Sequence, residues 1–217
     1  MHETQKWSDL YMSKQKRVSR TPGRPKLNEQ EMPIQKVIIQ TAAKTFMEQG
    51  YEAISLQQIA AICGVTKATI YYYYSNKAEL FTAAIEFMLT IAHKATKSLM
   101  DSEGHLRDRL ERVAYVKIAQ PHSDLETMLK EAEKQLSEEH IQRIRSAEHM
   151  LYDLLAQHFE EAMEQGQLQS GSPMLLAHAF SSLLMMGNRD SARQLFSSHE
   201  QLAASIVDLF WQGAMKK

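Results

Sequence analysis

Within the 217-residue sequence, the stretch from Ser55 to Lys77 combines hydrogen-bonding side chains with helical spacing. Thr66, Lys67, Thr69, Tyr71, Tyr72 and Lys77 bring hydroxyls, phenols and ammoniums within a few helical turns, a set suited to phosphate oxygens and base edges. Histidine spacing offers no comparable metal site. His140, His149 and His158 recur every nine residues, which at about 100° per residue puts neighbours on opposite sides of one helix, so they cannot converge on one ion. The sequence has no His-Glu-x-x-His pair, glycine-rich phosphate loop or nucleophile elbow. The expectation is a protein that is not an enzyme and carries no metal or cofactor.

The elements that must hold those groups are two short helices and a turn. Ser55 suits an N-cap, with Gln58 completing a capping box, and Leu56, Ile59, Ala60 and Ile62 then recur at helical spacing. Cys63 and Gly64 end that helix, Gly64 as the left-handed residue, and Thr66 caps a second helix with Ile70 and Tyr73 on its inner face. A small Ala60, a permissive Gly64 and a locking Ile70 are what two steeply crossing helices require. Polar Thr66, Lys67, Thr69, Tyr71 and Tyr72 would then occupy the exposed start of a recognition helix. An ordinary helical hairpin with a solvated polar face is the competing reading. Tyr71 to Tyr74 cover every side of a turn, so some are buried and some face outward.

The flanks favour DNA. From Pro33 to Gln49, Ile34, Val37, Ile38, Ala42, Phe46 and Met47 trace one face of a bracing helix that Gly50 stops; Tyr51 and Ile54 close a small core. Asn76 and Glu79 are expected to form another capping box, placing Lys77 in a helical first turn where ammonium and backbone N–H groups together would clamp a phosphate. Net charge is −1, yet residues 1–80 hold 11 Lys+Arg against 7 Asp+Glu, leaving 14 against 19 for the remainder. Residues 1–30 read as a flexible basic arm, Lys14 to Lys26 carrying six basic residues without an acid. Within it Gly23-Arg24-Pro25 resembles the core of an AT-hook, with Arg24 suited to a narrow minor groove. A solvated tail attracted to phosphates is the alternative.

In order and spacing, Phe46-Met47-Glu48-Gln49-Gly50-Tyr51, Ile59-Ala60, Gly64-Val65-Thr66, Thr69-Ile70-Tyr71-Tyr72-Tyr73-Tyr74 and Asn76-Lys77-Ala78-Glu79-Leu80 resemble the DNA-binding domain of the TetR family of bacterial transcriptional regulators. The resemblance covers residues 34–81, about a fifth of the chain. It implies phosphate contacts by Thr66, Tyr71 and Lys77 and base contacts by Lys67, Ala68 and Tyr72. Tyr74 stands where Phe is usual and Thr66 where Ser is usual.

The rest is helical in pattern, giving an all-α fold: a basic arm (1–30), a helix-turn-helix domain (31–77) and a larger helical effector-binding and dimerisation domain (78–217). Helices are expected from Lys77 to about Ser98, between Gly104 and Pro121, from Leu125 to Leu136, and from Ser137 to about Gln165. Ser172-Pro173 begins another that is apolar on most sides, and Ser197 with Glu200 begins the last, whose apolar face is broad. Such breadth suggests a partner; the resemblance implies that these two helices pair with their copies in a homodimer, through Leu176, Phe180, Leu183, Leu202, Ile206, Leu209 and Phe210. Thirteen methionines offer adaptable walls for a small hydrophobic or amphipathic effector, among Met88, Tyr115, Met128, Met150, Phe180 and Met185, with His122, His149 or His178 as a polar anchor. The one cysteine, Cys63, excludes an internal disulfide. No apolar run approaches the roughly 18 residues that span a membrane, and no signal-peptide pattern opens the chain, so a cytoplasmic location is expected. A homodimeric repressor of a pseudo-palindromic operator is the principal reading; a nucleoid-type architectural protein is the alternative.

Overall fold

The computed structural model describes residues 33–119 and 125–215. The basic arm with Arg24, and also Pro121 and His122, lie outside the described residues. Among the described residues ten helices follow in order: α1 Ile34–Gln49, α2 Leu56–Cys63, α3 Lys67–Tyr73, α4 Lys77–Met100, α5 Leu106–Ala119, α6 Leu125–Ala132, α7 Glu138–Glu164, α8 Pro173–Met186, α9 Asp190–Arg193 and α10 His199–Ala214. No strand occurs among the described residues; the one extended feature is an isolated antiparallel bridge between Leu168 and Met215. The fold is all-α, with an N-terminal helix-turn-helix domain joined to a larger helical region.

The helix ends form where short polar side chains satisfy backbone groups that the helix itself cannot. Ser55 accepts from the Gln58 N–H while Gln58 Oε1 accepts from the Ser55 N–H, and Ser137 and His140 reciprocate at α7 in the same way. A cap of this kind stabilises its helix by about 1 kcal/mol. Two expected caps differ. Asn76 accepts from the Glu79 N–H at 2.8 Å, but the Glu79 carboxylate turns away to the Arg143 guanidinium, so half of the box forms. At α10 the cap is Ser198 rather than Ser197, with Gln201 in place of Glu200; Gln201 Oε1 takes the Ser197 N–H instead.

Buried side chains gather into two cores. The first unites Ile38, Phe46, Tyr51, Ile59 and Ile70 of the helix-turn-helix end with Leu80, Phe81 and Ile85 of α4, Met128 and Leu129 of α6, and Ile144 of α7. Phe46, Tyr51 and Phe81 meet in one aromatic group, with ring centroids 4.9–6.0 Å apart. The second joins Met100 at the far end of α4 to α5, the C-terminal half of α7, α8 and α10, around Phe159, Phe180 and Phe210. Gly187 is required there by contact: a Cβ at this position would lie 2.7 Å from Ile118 Cγ1. No helix among the described residues is long and apolar enough to cross a membrane.

Candidate nucleic-acid interface

The turn between α2 and α3 holds its shape through one residue. Gly64 sits at φ 68°, its N–H reaching back to the carbonyls of Ala60 and Ala61, and Val65 N–H also returns to Ala60 at 3.0 Å. Thr66 then caps α3, and its hydroxyl hydrogen-bonds that of Thr69 at 2.9 Å. Ala60 and Ile70 are both fully buried beneath this turn. The crossing is therefore locked from inside, and α3 is rotated so that its other side faces solvent.

That outer side carries Ala68 and Lys67, both exposed, with Tyr71 47% and Tyr72 82% exposed. Large apolar-bodied rings seldom face water so fully without a partner. The four tyrosines divide: Tyr74 is buried and Tyr73 half-buried, its ring edge-on to Tyr72 at 5.0 Å. Thr69 is half-buried and engaged with Thr66, which makes it less available than exposed Lys67, Ala68, Tyr71 and Tyr72. Lys67 Nζ lies 5.6 Å from the Tyr71 ring centroid, a cation–π spacing that keeps the ammonium beside the exposed phenol.

Behind this edge lies a cleft of about 340 Å³ lined by Ser55, Gln57, Gln58, Lys67, Tyr71 and Lys77, with Glu52 at its border. First-turn residues of α2 and α4 line it, so two helix N-termini and two ammoniums border the space where a phosphate could sit. Lys77 does not extend freely into solvent. Its Nζ stands 4.2 Å from the Tyr51 ring centroid, and partial burial pulls its pKa down from the usual lysine value, with Glu52 opposing. Burial likewise raises the Tyr51 phenol.

Among the described residues, no group of three or more His, Cys, Asp or Glu side chains is placed to hold a metal ion. Cys63 is half-buried, its thiol raised by burial.

The family description "Bacterial regulatory proteins, tetR family" matches residues 38–84, the segment that builds this turn and the start of α4. The chain belongs to the TetR family. The uncharacterized HTH-type transcriptional regulator YhgD of Bacillus subtilis (strain 168) is 22% identical over 187 residues, 81% of this chain and 93% of that protein. The biofilm operon icaADBC HTH-type negative transcriptional regulator IcaR of Staphylococcus epidermidis is 37% identical over 49 residues, 23% of this chain and 26% of its own. Among solved structures, the transcriptional regulator FadR from Bacillus subtilis, in complex with stearoyl-CoA, superposes with a TM-score of 0.66 at 18% identity, covering 82% of this chain and 98% of its own. This TetR-family chain is thus a transcriptional regulator with a DNA-binding helix-turn-helix.

The expected effector residues do not gather. Met128 lies in the first core and Phe180 in the second, both fully buried; Met88 and Tyr115 pack partly against one core each, and Met150 is 54% exposed. Met185 is half-buried on α8. Met150 instead edges a cleft of about 470 Å³ between α4 and α7, with Glu86, Thr90 and Arg143. Of the residues expected at a dimer interface, Phe180, Leu202, Ile206 and Phe210 fill the protomer's own second core, since the apolar side of each helix is wider than one neighbour needs. Leu209 faces out at 58% exposure beside half-buried Leu176 and Leu183, and Leu175, not singled out from the sequence, is 67% exposed.

Sequence reasoning missed the polar ties between distant helices. Arg143 of α7 grips Glu79 at 2.9 and 3.0 Å and Glu86 at 2.6 and 3.1 Å, while His140 Nε2 approaches Glu79 at 3.2 Å. The only local hint was a helix-start glutamate whose expected partner, the Asn76 N–H, it does not take.

Proposed function

We propose that this TetR-family regulator is a homodimeric repressor released from a pseudo-palindromic operator by a small hydrophobic or amphipathic effector. The observation that carries the reading is the outer face of α3, where Lys67, Ala68, Tyr71 and Tyr72 are exposed on a helix locked from beneath by Ala60, Gly64 and Ile70. Residues 31–77 would read DNA, with Lys67, Ala68 and Tyr72 toward base edges and Ser55, Thr66, Tyr71 and Lys77 toward phosphates; Thr69 would support Thr66. Residues 78–217 would pair and bind the effector. Outward Leu175 and Leu209 support pairing through α8 and α10, which would set two reading helices in successive major grooves, about 34–36 Å apart. Repression is supported by the negative regulator IcaR, and an amphipathic effector by stearoyl-CoA in FadR. The protein would act in the cytoplasm, where its operator is.

Duplexes selected from a random pool by the full-length protein test the reading. Footprints should cover one discrete inverted repeat; uniform coating of any duplex would instead favour an architectural role. Lys67→Ala should shift which bases are preferred, whereas Lys77→Ala should weaken all sequences alike and reduce the salt slope by about one. Identical behaviour of the two variants would remove the division of roles.

A further inference from the structure

Lys77 is held by an aromatic ring, and that ring is held from a distant part of the chain. The Tyr51 N–H, just beyond the end of α1, donates to Glu131 Oε2 of α6 at 3.0 Å across eighty residues of sequence. Gly50 makes the approach possible. It stands at φ 82°, and a Cβ there would lie 2.8 Å from the same carboxylate oxygen. The Tyr51 side chain, 2% exposed, is wedged between Phe46 and Phe81, and Lys77 Nζ rests 4.2 Å above its centroid.

The other end of α6 is fixed as well. Glu126, in its first turn, receives the Arg145 guanidinium of α7, with Nη2 at 2.8 Å from Oε2. Arg145 also binds Glu148, whose second oxygen accepts the Tyr152 hydroxyl at 3.0 Å. The eight residues of α6 therefore stand as a strap with one carboxylate toward α7 and the other on the reading domain, while Met128, Leu129 and Ala132 lie in the shared first core between them.

We propose that Glu131 is a positioning residue for DNA binding: by latching the Tyr51 backbone it fixes the ring that aims the Lys77 ammonium. The proposal rests on the phosphate role of Lys77 given above. A charged acceptor on a backbone N–H makes a stronger bond than a neutral one, and ordering a cation before DNA arrives spares it that loss of freedom on binding. Glu131 itself never touches DNA. Its negative charge opposes the phosphates, so any benefit must come through geometry.

This opposition makes the test sharp. Glu131→Gln keeps an oxygen acceptor and removes the charge, so it should bind the selected duplexes as tightly as the parent or slightly tighter. Glu131→Ala removes both; it should bind about 3- to 10-fold more weakly, with a salt slope reduced by up to about 0.9, the value of one phosphate contact. In a Lys77→Ala background, Glu131→Ala should add nothing. Without DNA, NMR should show the ring-current shift of the Lys77 side-chain methylene protons relaxing in Glu131→Ala and persisting in Glu131→Gln, while both proteins retain the parent's helical circular dichroism. Parental affinity and slope in Glu131→Ala, beside a Lys77→Ala that loses both, overturns the latch and leaves Lys77 at the phosphate. Additive losses in the double variant also overturn it. A Lys77→Ala protein that binds like its parent overturns the phosphate role and the inference together.

Discussion

The reading domain and the region built from α5, α8 and α10 solve opposite problems. In the first, the outward side of a short helix must carry particular polar groups, and each is fixed by a cap, a left-handed glycine or a buried Ile70 beneath it. In the second, α8 is apolar around most of its circumference and α10 over a broad face, one side of each filling the protomer's own core and the other carrying Leu175 and Leu209 into solvent. Position matters residue by residue in the reading domain. In α8 and α10, volume and apolar area carry more of the energy, and neighbouring leucines have unlike fates.

The largest effect that would test this contrast is expected at Phe180, buried against Phe159 and Phe210. Phe180→Ala should cost about 3–5 kcal/mol in chemical denaturation, at every protein concentration. A well-folded monomer with little lost stability would instead assign Phe180 to an interface. Next comes Gly64→Ala. A Cβ there meets nothing within 4 Å, so the cost is purely that of φ 68° in a residue with a side chain, about 1–2 kcal/mol by urea unfolding. A neutral result would show that the turn relaxes and is not held from beneath. Leu209→Asp should change monomer stability by less than about 0.5 kcal/mol, since Leu209 is 58% exposed, yet abolish association in sedimentation.

The smallest effect concerns pH. Burial holds the His158 imidazole below its ordinary value of 6.5, with Glu161 and Asp101 opposing. Below that pH the unfolded chain takes the proton more readily than the folded one, so the stability associated with neutral His158 is present above about pH 6.5 and is lost as pH falls. His158→Gln should flatten the decline in melting temperature from pH 6.5 to 5 relative to the parent. An unchanged slope would mean that the nearby carboxylates fully offset burial.

How legible each region was follows from where its forces act. Ser55 with Gln58, Gly64, Thr66 and Ile70 are local devices: the partner of each lies within a few residues, and the sequence shows both halves. The division of the tyrosines follows too, since helical spacing from buried Ile70 decides which way Tyr74 points. Glu79 shows where that logic ends. Its local partner was available, but Arg143, 64 residues away, offered two charge-assisted bonds and won. The shift from Ser197 to Ser198 at α10 is a contest between adjacent serines with nearly equal capping ability. Phe180 and Leu209 both lie on broad apolar faces, and periodicity alone cannot say which neighbour, the protomer or its copy, covers each. The six expected effector residues were chosen for type, and type carries no information about which of two cores a side chain enters.

α4 begins in one of those cores and ends in the other, Leu80 and Phe81 packing at the reading end and Met100 at the far one. Its 24 residues make a rod about 36 Å long at 1.5 Å rise per residue. Rods magnify small angles. A tilt of about 5° pivoting at Met100 carries Lys77 sideways by about 3 Å, roughly the length of a hydrogen bond. Two such rods in a symmetric pair would change the spacing of their reading ends by up to twice that, with no side chain near Met100 moving by more than a fraction of an ångström.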